Sequence, residues 1–129
     1  MSELEDTGTT PVAAPPLVPS LPTLDRGHLA RMTLGNRSLE AEVLALFICQ
    51  AELLLPRMLE AKPDCVGALA HTLKGSARGI GLWRVAALAD ALEQIARSST
   101  GAAVADAVRD LTSAVAEARA AIAQLTQVA

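Results

Sequence analysis

The chain has 129 residues and a formal net charge of −3, so its length allows one domain and leaves no room for a second. Hydrophobic residues make up 51% of the chain but aromatic residues only 2%, and alanine is the commonest residue. This composition disfavours a β-sandwich or barrel, and the mild acidity disfavours a protein that mainly binds nucleic acid or anionic lipid. We therefore predict an all-α domain.

The N-terminal residues bear on where the protein is found. Glu3, Glu5 and Asp6 do not follow the basic-then-apolar order of a signal peptide. No apolar run approaches the ~18 residues that would indicate a membrane span. We expect a cytoplasmic protein that does not bind membranes.

The cysteines and histidines are too few and too scattered for a closed zinc site. Cys49 and Cys65 are isolated in the sequence, and His28 and His71 are the only imidazoles. We expect both cysteines to be reduced and packed in the core.

Proline marks the first boundary in the chain. Five of the seven prolines lie in the first 22 residues, among Thr, Ser, Gly and acidic residues. Such a composition is typical of a disordered or extended segment. We predict a disordered Pro-rich tail over residues 1–22 and one folded domain over residues 23–129.

A short helix comes first. Thr23 can cap a helix that runs roughly from Leu24 to Leu34 and ends before Gly35. Its spacing predicts that Leu29 and Met32 face inward.

A longer second helix begins at Asn36 or Ser38. Pro56 lies inside it, so we expect a kink or local loosening near Glu52 and Leu53. Apolar residues alternate three and four apart, as the seam of a helix bundle requires. The predicted inward residues are Leu44, Phe47, Ala51, Leu54 and Met58.

Three further helices complete the prediction. The third starts at Pro63 or Asp64 and ends at the glycines at 79 and 81; the fourth spans about Leu82 to Arg97, and the last about Ala102 to Gln127. The inward face of the fourth is Leu82, Val85, Leu88, Ala89, Leu92, Ile95 and Ala96. That of the last is Val104, Val108, Leu111, Val115, Ala118, Ile122 and Leu125. Short connections favour an antiparallel up-down four-helix bundle with the short first helix as an addition.

The third helix carries the most informative residue, His71. Placing each residue about 100° further round the axis puts the larger apolar side chains within about 40° of the side opposite His71. They are Val66, Leu69, Leu73 and Ile80, together with Ser76. We therefore expect that face to be buried and His71 to point at solvent.

Two glycines flank His71, Gly67 one turn before it and Gly75 one turn after it. A glycine inside a helix is unfavourable by roughly 0.5–1 kcal/mol relative to alanine, yet it leaves the imidazole open to a bulky partner. Lys74 and Arg78 add positive charge where an anionic group on the ring would need compensation. Two interpretations stay open: a nucleophilic or phosphate-accepting imidazole, or an inert surface histidine beside glycines kept for packing.

The segment Ala70–Ala77, which reads AHTLKGSA, is followed by Ile80-Gly81 and resembles the signature of the histidine-containing phosphotransfer (HPt) domains of bacterial phosphorelays. Three other segments are similar to the family pattern: Leu24-Asp25, the region of Phe47, and Leu88 to Glu93. The resemblance covers about residues 23–97. The position of Pro56 and the short connection at Lys62-Pro63 depart from the pattern.

The resemblance implies that His71 is the phosphorylated residue and that Lys74 is its neighbouring cation. It also implies that Gly75 is the clearance residue, whose missing side chain leaves the imidazole open to the partner. We assign Arg78 and Gly67 to the same two roles from their positions. The implied donor is an aspartyl phosphate on a receiver domain that also brings the Mg²⁺, and the implied acceptor is the aspartate of another receiver. A hybrid histidine kinase is the implied upstream partner, and we expect a monomer.

Phosphoryl transfer of this kind requires mostly positioning and charge neutralisation. The sequence has no Gly-rich phosphate loop, no acidic pair placed for Mg²⁺ and no nucleotide signature. We therefore expect no cofactor of its own and no autonomous kinase activity. Nε2 of His71 is the expected attacking atom.

Two other functions stay open. The chain is alternatively a helical adaptor with an unused histidine, or a phosphoacceptor served by a separate chemotaxis-type kinase.

Trp83 lies on the polar side of the fourth helix with Asp90 and Gln94, where it is either a partner surface or a cap over the bundle end. His28 is expected at the surface or partly in the core.

Overall fold

The computed structural model describes residues 22–127, and within that range the chain is all-α, as predicted, with five helices and no strand. The predicted tail lies outside the described residues except for Pro22. The helices are α1 (Arg26–Thr33), α2 (Arg37–Glu60), α3 (Pro63–Ile80), α4 (Trp83–Ser98) and α5 (Gly101–Gln127).

The four long helices enclose the core. Consecutive long helices pack against each other, and α5 also packs against α2, while α1 lies on α2 and α3. Every long helix contributes fully buried side chains. The largest of them in the long helices are Leu44, Val66, Leu73, Val85, Leu92, Val108 and Leu111, and Leu82, the N-cap of α4, is buried with them.

The short helix α1 begins later than predicted. Asp25 rather than Thr23 is its N-cap, because the Asp25 carboxylate accepts a hydrogen bond from the backbone N–H of His28. Leu29 is buried as predicted, but Met32 is exposed, and the prediction for that residue is wrong. A helix of eight residues that rests on the bundle along one side buries only a narrow stripe, and Met32 lies off it.

The long helix α2 follows its prediction closely. Asn36 caps it by accepting a hydrogen bond from the backbone N–H of Leu39, and the five residues predicted to face inward are all buried. The helix runs through Pro56 to Glu60 without interruption.

The helix α3 is rotated relative to its prediction. Its buried residues are Val66, Ala70, Leu73 and Ala77, whereas Leu69, Ser76 and Ile80 are only partly buried. The prediction of the buried face relied mainly on the larger apolar side chains. The buried face of α3 instead includes the small Ala70 and Ala77, and small side chains let neighbouring helix backbones approach closely.

The helices α4 and α5 show the same preference for small residues. On α4, Ala86 and Glu93 are buried, whereas Leu88 and Ile95 are only partly buried. On α5, the predicted face is buried apart from the partly buried Leu125, and Ala107 and Ala114 join it. Alanine therefore provides much of the interhelical contact, which explains how a chain with few aromatic residues packs a core.

The two cysteines are free, as expected, but both are exposed, so the prediction that they pack in the core is wrong. Cys49 lies on the outer side of α2, and Cys65 lies in the first turn of α3. Within residues 22–127, no helix is long and apolar enough to cross a membrane.

Candidate functional site

His71 lies in the middle of α3, and 67% of its side chain is exposed. The outward orientation predicted from the helical pattern is confirmed. The rotation of α3 turns His71 toward α4 because the buried side of α3 is the side that carries Ala70 and Ala77. The imidazole therefore lies at the edge of the contact between these two helices and still meets solvent.

Glu93 of α4 holds one nitrogen of that imidazole. Its Oε2 lies 3.0 Å from Nδ1 of His71, and only 11% of the Glu93 side chain is exposed. A carboxylate accepts hydrogen bonds, so Nδ1 carries the proton and donates it. The Nδ1–H tautomer leaves the lone pair on Nε2, the nitrogen that Glu93 does not bind.

Lys74 holds the other oxygen of Glu93. Its Nζ donates to Oε1 of Glu93 at 2.7 Å and to Oδ1 of Asp90 at 3.0 Å. Only 12% of the Lys74 side chain is exposed, so this cation lies along α4 rather than out in solvent. The two carboxylates, that of Glu93 first, raise the pKa of Lys74.

The same contacts keep Glu93 ionised. The hydrogen bond from Lys74 is the main cause that lowers the pKa of Glu93 below its usual range, and the hydrogen bond with His71 acts in the same direction. Arg97 adds a longer ion pair, with Nη2 3.5 Å from Oε2 of Glu93. A carboxylate that is held on both oxygens presents a fixed acceptor to His71.

Glu93 is the functional residue that sequence reasoning missed. It lies on the face of α4 that the apolar pattern predicts to be inward, between Ala89 and Ala96. A charged residue on a buried face needs a partner of opposite charge or a donor. A glutamate within an otherwise apolar helix face was therefore the feature of the sequence that could have revealed the site. His71 and Lys74 on the facing helix supply its partners.

The two flanking glycines lie in different surroundings. A Cβ placed on Gly75 would meet no atom of residues 22–127 within 4 Å, so packing within this segment does not require a glycine there. A Cβ on Gly67 would lie 3.8 Å from the Cβ of Ala96, which is ordinary contact distance. Gly67 therefore takes part in the contact between α3 and α4, whereas Gly75 leaves open surface beside His71.

A shallow groove lies along His71 between α3 and α4. Its walls include Gly67 and Thr72 from α3 and Glu93 and Arg97 from α4. The groove offers access to the imidazole together with one exposed guanidinium, that of Arg97.

The remaining predicted site residues lie apart from this groove. Arg78 is exposed two turns beyond His71 and forms no hydrogen bond or ion pair with another residue of the 22–127 segment. Its charge still helps to lower the pKa of Asp90, after the larger effect of Lys74.

Trp83, by contrast, attaches α1 to the end of the bundle. Its Nε1 donates to Oδ2 of Asp25 at 2.9 Å, and its ring meets the His28 ring edge-on with centroids 4.9 Å apart. His28 is partly buried, and its Nε2 lies 3.1 Å from the carbonyl oxygen of Gly79. His28 therefore donates from Nε2, because a carbonyl only accepts.

Over the described part of the chain, no three His, Cys, Asp or Glu side chains come close enough to hold a metal ion. The arrangement around His71 consists of an exposed imidazole, the Glu93 carboxylate that accepts from its Nδ1, and nearby cations.

No curated protein and no solved structure matches the chain. The family model of the Hpt domain matches residues 42–125, which include α3 and α4 in full. The chain therefore belongs to the Hpt domain family, which carries out histidine phosphotransfer in two-component signalling.

Proposed function

We propose that this protein accepts a phosphoryl group on Nε2 of His71 from the aspartyl phosphate of one receiver domain and passes it to the aspartate of another. The observation that carries the proposal is the 3.0 Å contact between Nδ1 of His71 and the carboxylate of Glu93 on an imidazole that is otherwise exposed. That contact fixes the tautomer and leaves Nε2 free to react.

The proposed step balances without a separate base. The Nε2 lone pair forms the N–P bond while the bond between phosphorus and the aspartyl oxygen breaks, and the carboxylate leaves with the electron pair. Nε2 carries no proton in the Nδ1–H tautomer, so none has to leave. The ring gains positive charge, which the Glu93 carboxylate stabilises through Nδ1–H. The reverse sequence delivers the group to the second receiver.

Three cations lie on α3 and α4 near His71 or further along the same side, and we assign them different roles. Lys74 is committed to Glu93 and Asp90, so its main role is to hold the carboxylate that orients His71. Arg97 lines the groove beside His71, and Arg78 is exposed on the same side of α3; both can turn toward phosphate oxygens. The Mg²⁺ comes with the receiver, and the chain itself uses no cofactor.

Gly75 is the proposed clearance residue, because its missing side chain serves no packing within the chain. Gly67 is assigned the same role, and a side chain at this position would also approach Ala96. An approaching receiver needs open surface around the imidazole, and a side chain at position 75 would lean back over the ring.

The wider setting belongs to the same proposal. Each long helix packs against two others, and the connections between them are short, which supports an antiparallel up-down four-helix bundle with α1 added. We assign residues 23–129 to this domain. We place this domain in the cytoplasm, downstream of a hybrid histidine kinase and without nucleic acid or membrane as partners.

The test is a transfer assay with radiolabelled receivers. Receivers phosphorylated by a small-molecule donor are mixed with the full chain, with His71→Gln and with the matched control His28→Gln. The proposal expects labelling of the parent and of His28→Gln, and none of His71→Gln. Incubation with ATP and Mg²⁺ alone should leave the chain unlabelled.

The assay also separates the alternative functions. A helical adaptor would take no label from any receiver of its own organism. A phosphoacceptor for a chemotaxis-type kinase would be labelled when such a kinase and ATP are added but not by phosphorylated receivers.

A further inference from the structure

The outer side of α2 carries leucines that remain exposed in the described part of the chain. Leu39, Leu46 and Leu53 follow one another at intervals of seven residues, which brings them to one side of the helix. The exposed fraction is 67% for Leu46 and 63% for Leu53. We call the surface formed by Leu39, Glu42, Leu46, Cys49, Leu53 and Arg57 the α2 stripe. All six residues are exposed.

The stripe has opposite charges toward its two ends. Glu42 lies one turn before Leu46, and Arg57 lies one turn after Leu53. Neither residue forms an ion pair with another residue of the 22–127 segment. An apolar strip with an acid at one end and a base at the other is complementary to itself when it is turned through 180°.

We propose that a second copy of this chain pairs with the first through the α2 stripe, with the two α2 helices antiparallel. In one register, Leu46 lies opposite Leu53 of the second copy, and Glu42 lies at the same height as Arg57 of the second copy. The two-fold axis makes each contact occur twice. Four leucines then pack against each other between two pairs of opposite charge, which also disfavour the parallel arrangement.

The proposed pairing does not cover the histidine site. The groove beside His71 is lined by residues of α3 and α4, and none of its lining residues comes from α2. A dimer formed through the stripe therefore presents two open His71 sites. This inference does not rest on the proposed phosphotransfer function, and it replaces the expectation of a monomer.

The first experiment measures mass by sedimentation equilibrium on the full chain over a range of concentrations. We expect the mass to rise toward twice that of the 13.3 kDa chain. Leu46→Glu should keep the mass at that of one chain, whereas Ala102→Glu, at an exposed position on α5, should not. Circular dichroism checks that each variant keeps its helix content. A parent that stays at the mass of one chain at every concentration overturns the proposal.

Charge reversal tests the register. Glu42→Arg and Arg57→Glu each place like charges opposite one another, so each should raise the dissociation constant of the dimer by about tenfold. The double variant restores opposite charges and should return the constant close to that of the parent. Within one chain the two residues are about 22 Å apart along the helix, so only contact between chains gives this rescue. Additive losses in the double variant would overturn the register.

The cysteines provide a crosslinking test. In the proposed register, Cys49 lies next to Cys49 of the second copy, because the two-fold axis passes close to it. Diamide oxidises two thiols to a disulfide and is itself reduced as it takes up their two electrons and two protons. The Cys65→Ser variant should therefore form a crosslinked dimer, and Cys49→Ser should not. Crosslinking only through Cys65 would contradict the proposed face.

One result would assign the stripe to another occupant. If the parent stays at the mass of one chain and Leu46→Glu slows phosphoryl transfer from a receiver, the stripe is a receiver surface and the dimer proposal is overturned.

Discussion

Oε2 of Glu93 lies 3.0 Å from Nδ1 of His71, so a carboxylate on α4 fixes the proton of an imidazole on α3. The second oxygen of Glu93 accepts from Lys74, three residues after the histidine. One acid therefore connects the two residues of the helix that the sequence pattern singles out. Substitution of Glu93 should therefore change the reactivity of His71 while the imidazole stays exposed to solvent.

We predict that Glu93→Ala slows phosphoryl transfer by about 10- to 100-fold, because the imidazole loses the contact that positions it. The tautomer of His71 should also change from Nδ1–H toward a mixture, which ¹⁵N NMR of ring-labelled protein detects. Asp90→Asn is the matched control, because it removes the other carboxylate that binds Lys74 and leaves Glu93 in place. Equal slowing in the two variants, with no change of tautomer, would mean that Glu93 only supports the fold.

Gly75 gives a prediction in which stability and rate change in opposite directions. Gly75→Ala should raise the free energy of unfolding by up to about 1 kcal/mol, because a Cβ there meets open space and the glycine backbone entropy is removed. Gly75→Leu should keep part of that gain and slow transfer from a receiver. Thermal unfolding and single-turnover rates on the same variants check both parts. A Gly75→Leu variant that transfers as fast as the parent would show that the receiver does not approach over this side.

Substitution by alanine should have opposite effects on stability at two glycines near the end of α3. Gly81 has a φ of 85°, and a Cβ on it would lie 2.9 Å from the backbone oxygen of Asp25, so Gly81→Ala should lower the free energy of unfolding by about 1–3 kcal/mol. Gly79 is helical and open, so Gly79→Ala should raise it by up to about 1 kcal/mol. Chemical denaturation of both variants measures these changes. Equal effects of the two substitutions would contradict the role given to Gly81.

The attachment of α1 should weaken in acid. The backbone N–H of His28, and then the indole of Trp83, hold the pKa of Asp25 below its usual range. A carboxyl whose pKa is lowered in the folded state stabilises the fold at a pH above its ordinary pKa of about 3.9. That stabilisation is lost as the pH falls through the pKa of the folded state.

Fluorescence of Trp83 measures this change, because Trp83 is the only tryptophan and it donates to Asp25. We expect a transition below pH ~3.9 in the parent. The Asp25→Asn variant, which keeps a hydrogen-bond acceptor without the charge, should lack that transition. A transition of the same midpoint in Asp25→Asn would assign it to another group.

The helices, the inward residues of α2 and the exposure of His71 could be predicted because they depend on local spacing and on side chains of clear hydropathy. The rotation of α3 could not be predicted in this way. Ala70 and Ala77 contribute little to a hydropathy pattern, yet they are fully buried, whereas the larger Leu69 and Ile80 are only partly buried. Tertiary packing therefore decided the phase of the helix.

The candidate site was predictable on α3 but not on α4. His71, Lys74 and Gly75 lie within one short motif, whereas Glu93 reaches them only through the packing of two helices. The same rotation turned Lys74 toward α4, where its charge is shared with Glu93 and Asp90 rather than left free for phosphate. Spacing along one helix carries no information about which residues of the next helix lie opposite.

We propose that Nε2 of His71 carries the phosphoryl group while Nδ1 keeps the proton that it donates to Glu93. Long-range ¹H–¹⁵N NMR of ring-labelled protein, recorded after transfer from a phosphorylated receiver, distinguishes the two nitrogens and the two histidines directly. We expect one phosphohistidine, at Nε2 of His71, with His28 unchanged. Phosphorylation at Nδ1 of His71, or on His28, would contradict it.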